Sequence, residues 1–262
     1  MPELMYGLNS GLIALVLLAS MIVAMFGGRA MAGRRARRTS EEGKSQTLAV
    51  QGSLLAILGL LLGFTFSLAL GRYDTRSQAV VDEANAIGTA WLRTDLMPDG
   101  AREEARTLLV KYTEFRAKAG EVPAHQEARR AGMVATAQKT FDQLWALSAA
   151  TARDQGGPAI VAFTNSLNDM IDQLSSRDAA INRHVPEPVL LLLYGTFILL
   201  GWVLGLASAQ TGVRPGPAVY AMLLLIVGLV FVIIDLDRPR RGIIEVDQSP
   251  IRGLADQLAQ AG

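Results

Sequence analysis

Four apolar segments, arranged as two pairs around one long polar stretch, constrain this chain more than any motif in it. They cover residues 8–27, 48–71, 189–209 and 217–236. None contains Lys, Arg or Glu, and the only Asp among them is Asp235, near the end of the last segment. A helix that rises about 1.5 Å per residue needs roughly 20 residues to cross ~30 Å of hydrocarbon. The pattern therefore predicts an all-α membrane protein with four transmembrane helices in two pairs.

Composition excludes several classes of function. Hydrophobic residues make up 50% of the 262 residues, and the formal net charge is only +1, so nothing indicates a nucleic-acid partner. The chain has no cysteine, which excludes disulfides, thiol catalysis and zinc thiolate sites. Its two histidines, His125 and His184, are far apart in the sequence. We expect no metal, no cofactor and no catalytic residue, and we do not expect the protein to be an enzyme.

The polar stretch between the two pairs has the periodicity of helices rather than strands. Apolar residues recur at helical spacing over residues 73–96, 100–119, 124–150 and 158–183. The first of these continues the second apolar segment without a break. We therefore expect a helical bundle inserted between spans two and three. The predicted domains are a first transmembrane pair with a basic loop (1–71), an extramembrane bundle (72–186), a second pair (187–236) and a C-terminal tail (237–262).

The loop between the first two segments is basic. It holds Arg29, Arg34, Arg35, Arg37, Arg38 and Lys44. Counted over short loops and tails alone, these charges favour a cytoplasmic loop and a polar domain outside. When the arginines that flank the polar domain are included, the count is about even, so the sequence leaves the orientation open.

The second apolar segment carries a stripe of small residues on one face. Gly52, Ala56, Gly59 and Gly63 share this face at helical spacing, and the third segment repeats the theme with Gly201-x-x-x-Gly205. Such stripes allow two helix backbones to approach closely in lipid. Two interpretations stay open: plain helix packing, or a helix that lines a central pathway with its small face against a neighbouring subunit.

The opposite face of the same segment is mostly apolar. It includes Leu58, Leu62 and Thr65, with Phe66 at its border. An apolar constriction built from such residues would gate by dewetting. A face of this composition is equally typical of a helix that contacts lipid.

Charged residues near the segment ends have competing roles. In a symmetric oligomer Arg72 would repeat as a ring of positive charge at a pore mouth, and alone it would be an interfacial anchor. Glu83 could belong to the same vestibule, or could pair with Arg177 or Arg183 on a returning helix. If each residue has the first of its two roles, Arg72 and Glu83 lie at the pore mouth, and both are therefore pore-mouth candidates.

The carboxylate of Asp235 lies at the predicted edge of the hydrocarbon. An unpaired carboxylate is expensive there, so it is expected to have a partner. Arg238 is near in sequence, and an interfacial ion pair between the two is the simplest prediction.

Three stretches together resemble one family. They are Leu-Leu-Gly-Phe-Thr-Phe-Ser-Leu at 61–68, Glu-Ala-Asn-Ala-Ile-Gly-Thr-Ala-Trp-Leu-Arg at 83–93, and Asp-Leu-Asp-Arg-Pro at 235–239 leading to Gly-Ile-Ile-Glu-Val at 242–246. In this order they resemble the bestrophin-like domain family, four-span bacterial membrane proteins distantly related to bestrophin ion channels. The resemblance runs over about residues 8–258.

The resemblance implies a function and a location. Bestrophins are pentameric ion channels whose second span lines a pore with an apolar neck. Carried over by position, the resemblance implies that the pore-neck candidates are Leu58, Leu62, Thr65 and Phe66. It also implies that the channel conducts small inorganic ions and that the chain is a multi-pass protein of the bacterial plasma (inner) membrane. Two features depart from bestrophins: the basic loop favours the reverse orientation, and no acidic cluster matches the calcium clasp of the animal channels.

Two other functions fit the same layout. A helical bundle between two spans is also how bacterial membrane sensors place a ligand-binding domain, although the short stretch after residue 236 would then require a separate signalling partner. A scaffold that assembles other membrane proteins through the small-residue stripes is a third possibility. Oligomeric state with a central axis along residues 47–72 would separate the channel from the sensor.

Overall fold

The protein is all-α over the residues that its computed structural model describes, which are 9–36, 39–123, 126–238 and 242–261. No strand occurs in these ranges, so the all-α prediction is confirmed. The helices are α1 (Ser10–Ala36), α2 (Glu41–Arg93), α3 (Asp99–Glu121), α4 (Glu127–Asp154), α5 (Pro158–Ile181), α6 (Glu187–Thr211), α7 (Pro217–Asp237) and α8 (Ser249–Ala261), with a 3₁₀ turn at Thr94–Leu96.

Four of these helices are long and apolar enough to cross a membrane, which confirms the predicted number of spans. They are α1 over Ser10–Gly33, α2, α6 and α7. Helix α2 has 53 residues, about 80 Å of helix at the usual rise, and so exceeds the ~30 Å of hydrocarbon. Only its apolar part, residues 48–71, has the composition of a span.

The chain divides into two compact units. The first unit comprises Met1–Arg72 and His184–Ile244, and the second comprises Tyr73–Arg183 and Glu245–Gly262. Helix α2 contributes residues to both, because the division falls inside it.

In the first unit, α6 packs against α1 with backbone contact at two glycines. A Cβ added at Gly201 would lie 2.5 Å from the carbonyl oxygen of Met21, and one at Gly205 would overlap the backbone of Met25. Small residues at this spacing let the helices approach to backbone contact, where dispersion contacts stabilise the pair in lipid. Helix α7 also packs on α1.

Polar contacts join α1 and α6 at two levels. The Ser20 and Tyr194 hydroxyls lie 2.9 Å apart. Closer to the C-terminus of α6, the Arg29 guanidinium donates to the hydroxyl and the carbonyl of Ser208 and to the carbonyl of Val213. The Ser208 carbonyl lies in the last turn of α6, where helix carbonyls lack intrahelical partners.

The basic loop is only partly described. Helix α1 is interrupted at Gly33, whose φ of 47° is a left-handed conformation that favours glycine. Of the basic and histidine positions named from the sequence, Arg37, Arg38 and His125 lie outside the described residues.

The second unit has its own apolar core. The aromatic rings of Tyr112 on α3 and Phe141 on α4 meet with centroids 6.0 Å apart. Leu109, Leu144 and Phe163 are fully buried around them. The core is built from α2, α3, α4, α5 and α8, whose apolar residues recur every three to four positions.

Helix α8 belongs to this core, although the sequence pattern predicts only a C-terminal tail over residues 237–262. Ile251 and Leu258, seven residues apart, are buried, and α8 packs against α3. An amphipathic stripe of this kind buries one face of a short helix and leaves the other face in solvent.

Candidate functional site

One face of α2 within its apolar segment is buried inside the chain. Leu58 and Thr65 are each 2% exposed, and Leu62 and Ala69 are buried with them. These residues are spaced by four, three and four positions, so they lie on one side of the helix. The Thr65 hydroxyl donates to the Leu61 carbonyl at 2.7 Å, so it is satisfied within its own helix.

The other side of this segment is open. A Cβ added at Gly52, Gly59 or Gly63 would meet no atom within 4 Å. Ser53 and Ser67 are exposed as well, and helical spacing puts them on the glycine side, far around the helix from Leu58. The open side therefore combines small residues with hydroxyls. Large exposed apolar residues continue it, namely Ile57, Leu60, Phe64 and Leu68.

This burial bears on the pore-neck candidates. Leu58, Leu62 and Thr65 are covered by other residues of their own chain. Phe66, at intermediate exposure, lies between the buried and the open side. The small-residue stripe, Gly52, Ala56, Gly59 and Gly63, is the side that faces away from the chain. The side of α2 that holds Leu58, Leu62 and Thr65 is thus the buried one, and the side that holds the glycines is the open one.

The carboxylate of Asp235 accepts backbone amides. Its Oδ2 atom receives hydrogen bonds from the amides of Ile243 and Ile244 at 2.8 and 2.9 Å. These bonds turn the chain after α7 back against the helix end. Arg238, the partner predicted from sequence, donates to the Ser10 hydroxyl of α1 at 3.3 Å. Asp235 is 1% exposed, and amide donors compensate a carboxylate at such a depth.

Asp237, two residues further along, lies close to the Arg72 and His184 side chains. Its Oδ1 lies 3.8 Å from Nη1 of Arg72, and its Oδ2 lies 4.0 Å from Nδ1 of His184. The Val185 amide donates to Oδ2 at 2.8 Å. Arg72 is three-quarters buried beside this carboxylate. Arg72 is therefore an ion-pair partner of Asp237 at the end of α7, a contact that its sequence position did not predict.

Glu83 is the centre of a buried charge network in the second unit. Its side chain is fully buried. Oε1 accepts Nε of Arg116 at 2.5 Å, and Oε2 accepts Nη1 of Arg177. Of the two partners considered from sequence, the structure pairs Glu83 with Arg177 and adds Arg116. A carboxylate enclosed in this way does not line a vestibule.

The network sets the protonation of Glu83. Burial by itself raises the pKa of Glu83, but the charges and hydrogen bonds of Arg116 and Arg177 outweigh burial and hold the pKa below its usual value. The same contact acts on the partner: burial lowers the pKa of Arg116, and the Glu83 carboxylate more than compensates and raises it. Glu83 and Arg116 are thus charged together throughout the neutral range.

The network extends to the segment before α8. Arg177 also donates from Nη2 to the Gln248 side-chain oxygen at 2.7 Å. Gly120 at the end of α3 makes room for Gln248, because a Cβ at this position would overlap its amide. On the surface nearby, Arg252 of α8 pairs with Glu121 at 2.6 Å. These contacts attach the C-terminal segment to α3 and α5.

Sequence reasoning missed Asp237, Arg116 and Gln248 as partners. Asp237 belongs to the Asp-Leu-Asp-Arg-Pro stretch at 235–239. Which of its two carboxylates accepts backbone amides and which lies beside Arg72 depends on the path of the chain after α7. Arg116 lies among the charged residues of α3, where only its place on the apolar side of the helix signals burial. No signal in the sequence singles out Gln248. Among the described residues, no group of three or more His, Cys, Asp or Glu side chains could hold a metal ion.

Comparisons with known proteins agree with the membrane architecture. A solved crystal structure of a membrane protein, in a proline-to-alanine variant, matches with a TM-score of 0.58 at 15% identity, covering 94% of each chain. At this identity the likeness shows the fold alone. No curated protein matches the sequence. The family model for the bestrophin-like domain matches residues 12–251. The chain is therefore a membrane protein that belongs to the bestrophin-like domain family.

Proposed function

We propose that this protein is a homo-oligomeric channel for small inorganic ions, pentameric like the bestrophins its family resembles. Helix α2 lines the pathway over residues 48–71 in the bacterial plasma membrane. The second unit forms an extramembrane helical domain inserted between spans two and three. Membership of the family supports a channel-like role, and the architecture of four apolar helices supports the location.

The open side of α2 is the observation that carries the proposal. It presents Gly52, Gly59 and Gly63 together with the hydroxyls of Ser53 and Ser67. Small residues keep the space beside a helix free, and hydroxyls replace part of the hydration shell of a passing ion. We therefore assign the lining to this side and place the exposed ring of Phe64 at the apolar constriction. The buried Leu58, Leu62 and Thr65 support the lining helix from behind.

Ion flux is the direct test of the channel. Purified protein in liposomes loaded with potassium chloride is expected to dissipate an ion gradient, and Phe64→Ala is expected to raise the rate, because removing the ring widens an apolar constriction. Flux is measured with a chloride- or potassium-sensitive dye. Leu225→Ala is the matched control, since Leu225 is 75% exposed on α7, away from the proposed lining. Liposomes that stay sealed while holding well-folded oligomer would overturn the proposal.

Cysteine accessibility tests which side of α2 faces the pathway. The chain lacks cysteine, so each single variant carries one unique thiol. A charged, water-soluble thiosulfonate should modify Ser53→Cys and Ser67→Cys and block flux, because their positions line water. Leu58→Cys and Leu62→Cys should stay unmodified, because these positions are buried within the chain. The reverse pattern would return the neck to Leu58 and Leu62 and remove the assignment made above.

A further inference from the structure

Helix α2 carries five charged residues after its apolar segment. Between Gly71 and Leu92 they are Arg72, Asp74, Arg76, Asp82 and Glu83. The helix runs without a break over Glu41–Arg93, so helical spacing relates these residues to the open side of the apolar segment. In an oligomer whose α2 helices surround an axis, each charge on the open side would repeat as a ring around that axis.

Both arginines of this stretch lie far around the helix from the open side. Arg72 and Arg76 follow Gly63 by nine and thirteen positions, which places them roughly 140–180° around the helix from this glycine. Arg72 is three-quarters buried beside Asp237. Arg76 is 3% exposed and donates to two backbone carbonyls at and just after the end of α5. Neither arginine therefore forms a ring of positive charge on the open side.

The carboxylate of Asp74 has the opposite placement. Asp74 follows Gly63 by eleven positions, which places it about 20° around the helix from this glycine. Its side chain is exposed. Among the residues that the structure describes, no ion pair or hydrogen bond occupies this carboxylate. By helix rise it lies about 5 Å beyond Gly71, the last residue of the apolar segment.

The other two carboxylates of this stretch are bound within the chain. Glu83 is enclosed by Arg116 and Arg177. Asp82 is half-buried, and its Oδ1 accepts the side-chain amide of Gln78 at 2.9 Å. Of the five charged residues, which all lie within the described part of the chain, Asp74 alone combines an exposed side chain with a place on the open side.

We propose that Asp74 makes the pathway selective for small inorganic cations over anions. Rings of Asp or Glu side chains are typical of cation channels, because negative charge raises the local concentration of cations and repels anions. At physiological ionic strength the Debye length is about 8 Å, so such a ring acts on ions that pass close to it, and more distant charges act much less. This selectivity rests on the proposed function, since it requires a pathway lined by α2.

The permeability ratio of potassium to chloride tests the selectivity. In planar bilayers with a potassium chloride gradient, the reversal potential of the full-length protein should give a ratio above one. Asp74→Asn is expected to lower the ratio about threefold or more, and Asp74→Lys should bring it below one. Asp169→Asn is the matched control, because it removes the charge of an exposed carboxylate on α5. It should leave the ratio unchanged.

Chemical restoration of the charge distinguishes selectivity from a structural role. The chain lacks cysteine, so Asp74→Cys carries one unique thiol. A sulfonated thiosulfonate reagent adds a negative charge there and should restore the cation preference. A trimethylammonium thiosulfonate adds a positive charge and should invert the preference. A structural role for Asp74 would not make the ratio follow the sign of the reagent. Size-exclusion chromatography in detergent checks that each variant assembles like the wild type.

The outcomes separate this selectivity from the channel proposal. A protein that conducts but prefers chloride, or whose permeability ratio ignores the Asp74 variants and both reagents, overturns the role of Asp74 and spares the channel. An equal loss of selectivity in Asp169→Asn also overturns it, because the ratio would then report general surface charge. Bilayers that stay sealed with well-folded oligomer present remove both proposals.

Discussion

Replacing Glu83 by glutamine is expected to lower the free energy of unfolding of the second unit by about 3–5 kcal/mol, the usual cost of removing one partner from a buried ion pair. The glutamine has nearly the same shape, but Arg116 and Arg177 then remain charged and buried without their carboxylate. Thermal unfolding followed by tryptophan fluorescence measures the loss, since Trp91 and Trp145 both lie in this unit.

Glu114→Gln is the matched control for this change. Glu114 also pairs with a cation, Lys118, but both side chains are about half exposed. An exposed pair of this kind on a helix contributes only about 0.3–0.5 kcal/mol. If the two glutamine variants melted at the same temperature, the buried network would not have the role assigned to it.

The contribution of Glu83 to the free energy of unfolding also depends on pH. Its pKa in the folded protein lies below the ordinary value of 4.5. A carboxylate with a depressed folded pKa contributes stability that is present above the unfolded pKa and is lost as the pH falls through the folded pKa. The difference between the wild type and Glu83→Gln should therefore be full at neutral pH and shrink on acidification below about 4.5. A difference that stayed constant through this range would contradict the ion-pair explanation.

Replacing Gly205 by leucine is expected to prevent α1 and α6 from packing. A Cβ at this position overlaps the Met25 carbonyl and approaches the amide of Arg29 at 2.9 Å. These are backbone atoms within helix α1, so they cannot move aside as a flexible side chain does. We expect the free energy of unfolding to fall by more than about 3 kcal/mol, which exceeds the usual cost of overpacking. Size-exclusion chromatography in detergent should show a lower yield of monodisperse protein.

Gly195→Leu on the same helix is the control. Nothing lies within 4 Å of a Cβ added at Gly195, so the leucine side chain would point into open space. It should elute and melt like the wild type. A Gly205→Leu protein that behaved the same way would show that the close approach of α1 and α6 is not needed for folding.

The helices and spans could be predicted because their signals are local. An apolar run of about 20 residues and a recurrence every three to four residues report on one helix at a time. For this reason, the predicted helix over residues 158–183 agrees closely with α5 at Pro158–Ile181. Local signals did not predict α8, because it is a short amphipathic helix after the last span. Only its packing against α3 shows that its apolar residues belong to a core.

The two faces of α2 show where local patterns stop being informative. A leucine-rich face and a glycine-rich face both occur in helices that line pores, pack on neighbours or contact lipid. Which face is buried depends on the helices around it, which are distant in sequence. Packing buries Leu58 and Leu62 and leaves Gly59 and Gly63 open.

The charged residues also show which features depend on the sequence and which depend on the fold. From the amino-acid sequence alone come the four spans, the helical polar domain and the expectation that Glu83 and Asp235 need partners, since hydrocarbon thickness, helix geometry and the cost of burying charge apply to any chain. Only the folded structure selects the partners: Arg116 and Arg177 for Glu83, backbone amides for Asp235, and Arg72 for Asp237. Hydrogen bonds and ion pairs act over a few ångströms, and tertiary packing alone brings Arg116 and Arg177, which lie 33 and 94 positions from Glu83, within that distance.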